Sequence, residues 1–234
     1  MKIVVTNDDG IDAQGLATLA EVCRGFGETV IVAPGEPHSA LGHRVTTGVP
    51  IPVAQQSPSA YRVDGTPADC SRLALTCLAP DADWVISGIN HGGNLGADVY
   101  MSGTVAAARE AALLGRRAIA ISHYIARGGE VDWAAAAVNA SRVLRMLLER
   151  ELPSGFYWNV NLPYCAEAED ISFCPLDPSP LHVRYRKEGS VFIYEGDYHG
   201  RERRSGSDVD LCFQGRITVT AIPLEFAHPF STLP

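Results

Sequence analysis

Two adjacent carboxylates, Asp8 and Asp9, lie in the run Asn7-Asp8-Asp9-Gly10, directly after the short apolar stretch Lys2–Thr6. Neighbouring carboxylates raise each other's pKa unless a cation or hydrogen-bond donors compensate. A hard divalent ion such as Mg²⁺ or Mn²⁺, which prefers oxygen ligands, is the natural compensation. An ordinary turn is the other reading of these four residues, because Asn, Asp and Gly dominate turns. A second run, Glu36-Pro37-His38-Ser39, offers the Ser39 hydroxyl to the same ion or to a phosphate, or is a plain loop. The third is longer: Ser87-Gly88-Ile89-Asn90-His91-Gly92-Gly93-Asn94-Leu95-Gly96, continuing through Asp98 to Met101-Ser102-Gly103-Thr104-Val105. Its glycines permit close backbone approach to a ligand, and Asn90 and Asn94 add amide oxygens and N–H groups. Ser102-Gly103-Thr104 lead into an alanine-rich stretch, so hydroxyls and unpaired N–H groups can face an anion at the positive end of a helix.

Several familiar sites are excluded. No lysine follows the glycines as a Walker A loop requires, and Gly88, Gly92, Gly93 and Gly96 do not have the spacing of GxGxxG. The NDDG run lacks the alternating oxygen ligands of an EF-hand, and no GxSxG elbow is present. His38, His43 and His91 lie near these loops; each reads first as structural or solvent-facing, and His91, inside the ligand loop, is the one to test.

The elements that must hold these loops follow from periodicity. Lys2–Thr6 and Thr29–Ala33 read as strands, and Leu16, Leu19, Cys23 and Phe26 at helical spacing lie between them. This is a βαβ unit, which implies a parallel sheet. Val45–Val53 and Tyr61–Val63 are expected to form a β excursion at the sheet edge. Thr66 N-caps a helix that Pro67 opens. Trp84–Ser87 and Ala118–Ser122 are further strands, and Thr104–Leu114 and Trp133–Leu148 further helices. After Phe156 the pattern turns to short strands at Tyr157–Asn161, Ile171–Cys174, Val191–Tyr194 and Arg216–Ile222, with no strong helix. The expected class is α/β: residues 1–155 form a core carrying the loops, and residues 156–234 add the remaining core strands and a β-rich oligomerisation extension, in one domain overall. All three candidate loops fall at the carboxyl ends of strands, where open parallel sheets bind ligands.

The chain has 234 residues, enough for one substantial core. Its 27 acidic and 19 basic side chains give a formal charge of −8, which argues against a stable nucleic-acid or anionic-membrane partner. Cys23, Cys70, Cys77, Cys165, Cys174 and Cys212 form no CxxC pair and read as buried small hydrophobes in a reducing compartment. No apolar run reaches membrane-spanning length, and the expected location is the cytoplasm. The basic run His199-Gly200-Arg201-Glu202-Arg203-Arg204 reads as a solvated loop.

Five segments, taken in order, resemble the SurE family of stationary-phase survival proteins: VTNDDG at 5–10, APGEPHS at 33–39, GTPADC at 65–70, SGINHGGNLGADV at 87–99 and SGTVAAAREA at 102–111. NVNLP at 159–163 and the strand 217–224 extend the likeness. The resemblance implies a Rossmann-like, mostly parallel sheet flanked by helices. It also implies a metal-dependent 5′-nucleotidase, a phosphoric monoester hydrolase that splits nucleoside 5′- and 3′-monophosphates with metal-activated water. By motif position, Asp8, Asp9, Ser39 and Asn90 would hold one divalent cation per subunit (Mg²⁺, Mn²⁺ or Co²⁺), with Asp8 and Asp9 catalytic. Asn94, Ser102, Gly103 and Thr104, with His91, would face the phosphate. A homodimer or homotetramer through the C-terminal β arm is the expected assembly. Met101 stands where the family usually has tyrosine. The competing functions are a broad-specificity acid phosphatase or exopolyphosphatase, a phosphatase with Asp8 as nucleophile, and a non-catalytic nucleotide-binding regulator.

Overall fold

Alternation along the first strand decides where each side chain goes. In Lys2–Thr6 (β1), Ile3 and Val5 point to one face of the sheet and Val4 to the other, and all three are fully buried. A strand buried on both faces belongs in the middle of a parallel sheet covered on both sides by helices. The computed structural model describes residues 1–165, 168, 170–181 and 183–224, and within them this is the arrangement found.

After β1 come α1 (Gln14–Arg24), β2 (Glu28–Pro34), β3 (Val53–Ser57), β4 (Ala60–Val63), α2 (Pro67–Leu73) and β5 (Trp84–His91). They are followed by α3 (Gly103–Leu113), β6 (Arg117–His123), α4 (Trp133–Glu149), β7 (Phe156–Leu162) and β8 (Ile171–Phe173). The chain then forms β9 (Tyr185–Glu188), β10 (Val191–Tyr194), α5 (Asp208–Phe213) and β11 (Ile217–Pro223). Among the described residues nine strands make one sheet in the order β3-β4-β2-β1-β5-β6-β7-β11-β8. From β4 to β7 every neighbouring pair is parallel. β3 is antiparallel to β4 and β11 to β7, and β8 lies parallel to β11 at the far edge. The fold is therefore α/β with a mostly parallel central sheet, and β9 and β10 form a separate antiparallel hairpin.

On one face, Leu16, Leu19 and Cys23 of α1 and Val143, Leu144 and Leu147 of α4 pack against Ile3, Ile86, Ile119 and Val160. On the other, Cys70 of α2 and Val105, Ala108 and Ala111 of α3 pack against Val4, Val85, Ala118 and Tyr157. Each large aliphatic side chain so buried contributes about 2 kcal/mol relative to exposure. The alanines bring α3 close to the sheet, so its N-terminus comes down beside the end of β1.

Three expectations shift. The β excursion begins at Val53, not Val45, because Pro50 and Pro52 have no N–H to give to a ladder. The tail also contains a helix that the sequence did not predict, α5, capped by the Ser207 hydroxyl accepting from the Asp210 amide; six residues are too few to display a helical period. All six cysteines are free thiols, but only Cys23, Cys70 and Cys212 are buried. Cys77 lies exposed on the helical turn Ala74–Leu78 that continues α2, which corrects the reading of all six as core residues. Among the described residues no helix is long and apolar enough to cross a membrane.

Candidate active site

The chain leaves β1 at Asn7, whose side-chain amide donates to the Gly10 carbonyl at 2.8 Å and closes the loop on itself. Gly10 completes the turn at φ +101°, a conformation that glycine adopts without strain. Two links tie this loop to its neighbours. The His38 amide donates to the Asp8 carbonyl at 2.7 Å, which draws the Ser39 loop alongside. The His91 amide donates to Asp9 Oδ2 at 3.1 Å, which fixes the loop after β5. The ends of three strands thus converge on one carboxylate pair.

Asp8 is 5% exposed. Burial pushes its carboxyl up from 3.8 to about 6; the Thr104 hydroxyl, which donates to Oδ1, opposes the shift, and the Asp9 charge adds to it. A carboxylate so placed is under-compensated by the protein alone, as expected where a cation completes the site. Gly103 sits against it so tightly that a Cβ there would lie 2.8 Å from Asp8 Cβ and 2.9 Å from Oδ2.

A cavity of about 270 Å³ opens over this centre. It gathers Asp8, Asp9, Ser39, Asn90, His91, Asn94 and Ser102 on its wall, together with Asp98 and Met101. Gly103 and Thr104 do not line it; they stand behind Asp8, with the Thr104 hydroxyl engaged on that carboxylate. Asn90 donates its amide N–H to the Gly92 carbonyl at 2.8 Å, so its amide oxygen is the atom left to serve a cation. Ser102 caps α3, its oxygen accepting from the Val105 amide at 3.0 Å, which keeps its proton for an acceptor in the cavity. A larger recess of about 480 Å³ lies elsewhere, along β7, β8 and β11; no charged side chain lines it.

The residues around Asn94 were not singled out for a role by sequence. Its side-chain amide donates to Ser122 Oγ at 2.7 Å. Its backbone N–H donates to Asn161 Oδ1 at 2.8 Å, and its carbonyl accepts from Asn159 and Asn161 at 2.9 and 3.0 Å. Asn159 and Asn161 are two apart on β7, paired with Ala120 and Ser122 of β6, so they share a face. Polar residues at that spacing inside the apolar strand FYWNVNL were the available signal.

His43 does not reach the cavity. Its Nε2 meets Glu110 Oε2 at 2.7 Å, while Arg72 Nε donates to Glu110 Oε1 at 2.5 Å and Arg109 approaches His43 Nδ1 at 3.4 Å. With the Gly42 amide donating to the Met101 carbonyl, this network pins the Ser39 loop to α2 and α3. Burial works against ionisation of Glu110, but the hydrogen bonds from His43 and Arg72 more than offset it and hold the carboxyl below its usual 4.5. Such a group adds stability above its usual pKa, and that contribution is lost as the pH falls through the folded-state value. Glu110→Gln is therefore expected to lower stability by about 2 kcal/mol at pH 7. The gap to the parent protein should close below pH 4.5 in urea titrations; a constant gap across pH would contradict this role for the charge.

Among the described residues no group of three or more His, Cys, Asp or Glu could hold a metal. A cation here would rely on two carboxylates completed by the neutral oxygens of Ser39 and Asn90. That all-oxygen set suits a hard divalent ion.

Comparison with known proteins places the chain. The family model described as Survival protein SurE matches residues 3–179. A protein of Pelobacter propionicus named 5′-nucleotidase SurE is 47% identical over 205 residues, 86% of this chain and 80% of that protein. One of the same name from Geobacter sulfurreducens is 38% identical over 241 residues, covering 97% and 90%. The crystal structure of the SurE protein from Aquifex aeolicus superposes with a TM-score of 0.87 at 28% identity, covering 97% of this chain and 95% of that one. The sheet order, the loops at its carboxyl edge and these similarities agree: the chain belongs to the SurE family.

Proposed function

We propose that this chain is a 5′-nucleotidase that hydrolyses nucleoside monophosphates at the Asp8–Asp9 centre with a divalent cation, and that it accepts 3′- as well as 5′-monophosphates. One observation carries the reading: a single cavity sets two adjacent carboxylates and two neutral oxygens against the N-terminus of an eleven-residue helix. That pairs a place for a cation with a place for an anion. When bound, a divalent ion supplies Lewis acidity and a lowered pKa for coordinated water.

The protein's own groups supply the rest. Asp8 anchors the charge at the floor of the cavity, held by Thr104. Asp9, steadied by the His91 amide, orients the attacking water and takes its proton. Asn94 and Ser102, the cap of α3, face the equatorial phosphate oxygens and stabilise the charge that builds there. His91 stands on the wall of the same cavity, and in this reading its imidazole gives the proton to the leaving oxygen.

A self-associated form is part of the proposal: Tyr185, Val191, Phe192 and Tyr194 of the β9–β10 hairpin are exposed, an apolar surface suited to a second copy in a dimer or tetramer. Six free thiols fit a cytoplasmic site of action.

The test is phosphate release from 5′-AMP, 3′-AMP and p-nitrophenyl phosphate, measured after EDTA treatment and again with Mg²⁺, Mn²⁺ or Co²⁺ restored. Release that stops with EDTA, returns with metal and favours the nucleotides supports the reading. Equal rates on all three esters would make the protein a general phosphatase, and nucleotide binding without release would make it a regulator.

A further inference from the structure

The loop after β5 carries Asn94 and leads into Ser102, yet it holds glycines at 92, 93 and 96. Glycine-rich chain does not keep a geometry by itself, and a phosphate site works only if its donors are fixed before charge develops. Part of the restraint comes from more than a hundred residues away. Arg201 Nη1 donates to Asp98 Oδ2 at 2.7 Å and Nη2 to the Leu95 carbonyl at 2.9 Å. The guanidinium also lies 5.0 Å from the centre of the Tyr198 ring. The Tyr198 hydroxyl reaches the Gly93 carbonyl and Asp98 Oδ2, both at 3.3 Å.

Arg201 is thus not the solvated residue its sequence predicts. Its side chain is 13% exposed and that of Asp98 16%. The forked donor set of arginine is what allows one side chain to hold a carboxylate and a backbone carbonyl together. The segment bearing it is itself anchored. The Arg204 amide donates to Asp177 Oδ2 at 2.7 Å, and Asp208 accepts from the amides of Gly96 and Asp177, both at 2.8 Å. Leu95 is buried with Val209 and Cys212 beneath the same segment.

The positions gripped are the ones that matter. Gly93 and Leu95 flank Asn94. The Asp98 carbonyl accepts from the amides of Met101 and Ser102, both at 3.0 Å, so a fixed Asp98 fixes the start of α3. From this geometry we propose that Arg201 is a positioning residue for the reaction, setting the separation of the two phosphate-facing donors, Asn94 and Ser102, through its clamp on Leu95 and Asp98. Arg201 lies beyond residues 3–179 matched by the family model. The proposal rests on the nucleotidase reading for its kinetic consequence.

It leaves the cation donors alone: the polar contacts of the Arg201 guanidinium go to Asp98 and the Leu95 carbonyl, and none among the described residues goes to Asp8, Asp9, Ser39 or Asn90. That separation gives the test. In Arg201→Ala, kcat for 5′-AMP should fall about 30-fold and the Ki of inorganic phosphate rise about 10-fold, a partial loss of preorganised donors, while the Kd for Mn²⁺ stays within about 2-fold. Guanidinium at millimolar concentration should restore part of the rate, and ammonium should not, because only the forked donor reproduces the clamp. Arg201→Lys, which keeps the charge without the fork, should fall between the two. Asp98→Asn, nearly isosteric, serves as the second variant if Arg201→Ala fails to fold, and is expected to show the same split. Wild-type kcat and phosphate Ki in these variants would overturn the proposal, as would loss of Mn²⁺ affinity in step with activity, the mark of a general structural defect. Inorganic phosphate binding, read by calorimetry, keeps the clamp testable should the wild-type protein release no phosphate from nucleotides, an outcome that would sink the nucleotidase reading alone.

Discussion

Asp8→Asn is expected to abolish phosphate release while making the metal-free protein more stable. The first effect follows from charge: charge stabilisation worth several kcal/mol, at about 1.4 kcal/mol per factor of ten, amounts to about 10³-fold in kcat/KM. The second follows from burial. Asp8 is 5% exposed, next to Asp9, and its carboxyl titrates near 6 instead of its usual 3.8. For an acid whose folded-state pKa is raised, the sign is unfavourable. Below the unfolded value both states are protonated and nothing is lost; between 3.8 and 6 the unfolded chain ionises first, so folding is increasingly penalised; above 6 the penalty is constant. Asparagine keeps the shape and an oxygen for the Thr104 hydroxyl but carries no charge. The variant should therefore gain about 2 to 3 kcal/mol at pH 7 in EDTA and nothing below pH 3.8, read by urea unfolding. Adding Mn²⁺ should reverse the order, since only the parent gains binding free energy. A variant that is less stable than the parent in EDTA at neutral pH would contradict the description of Asp8 as a buried carboxylate that the protein alone under-compensates.

Gly103→Ala should lower kcat/KM about 100-fold without unfolding the protein. The position is the first residue of α3, and alanine improves helix propensity there by up to about 1 kcal/mol. The cost lies in one contact. The new methyl would sit 2.8 Å from Asp8 Cβ and 2.9 Å from its Oδ2, so either the helix start or the carboxylate must move. Neither atom belongs to a freely swinging tip, because Thr104 and the buried backbone hold Asp8 in place. A displacement near 1 Å at a reacting centre costs on the order of 10² in rate. Weakened Mn²⁺ binding with a Tm within a few degrees of the parent is the accompanying signature. Parental activity in this variant would show that the approach of α3 to Asp8 is not needed for catalysis.

These two residues also mark what the sequence could and could not reveal. Asp8, Asp9, Ser39, Asn90, Asn94 and Ser102 were legible because they lie at or beyond the carboxyl ends of strands whose apolar pattern is unmistakable, and the chain does bring them onto one cavity wall. Thr104 was legible as a residue of the site but not in its place, since a motif does not say whether a hydroxyl faces the ligand or the carboxylate behind it. The partners of Asn94 on β6 and β7 depend on strand register across the sheet, and no local spacing encodes that. Arg201 was hidden for the same reason. A run of arginines resembles a solvated loop until tertiary structure supplies Asp98 and Leu95 as acceptors. At the level of the fold, the helices flanking the core followed from a period of 3.6 and the parallel strands from short, continuous β-branched runs closed by turn residues. The Val45–Val53 segment misled because two prolines forbid the ladder its β-branched residues favour.

The central claim is that Asp8 and Asp9, with Ser39 and Asn90, hold the cation on which phosphate release depends. Mn²⁺ titration of the chelated protein by equilibrium dialysis, with release from 5′-AMP measured in the same samples, tests it most directly. One ion bound per chain, activity rising in proportion to occupancy, and neither in Asp8→Asn is the expected result. Full phosphate release from the metal-free protein, or unchanged Mn²⁺ binding in Asp8→Asn, would contradict it.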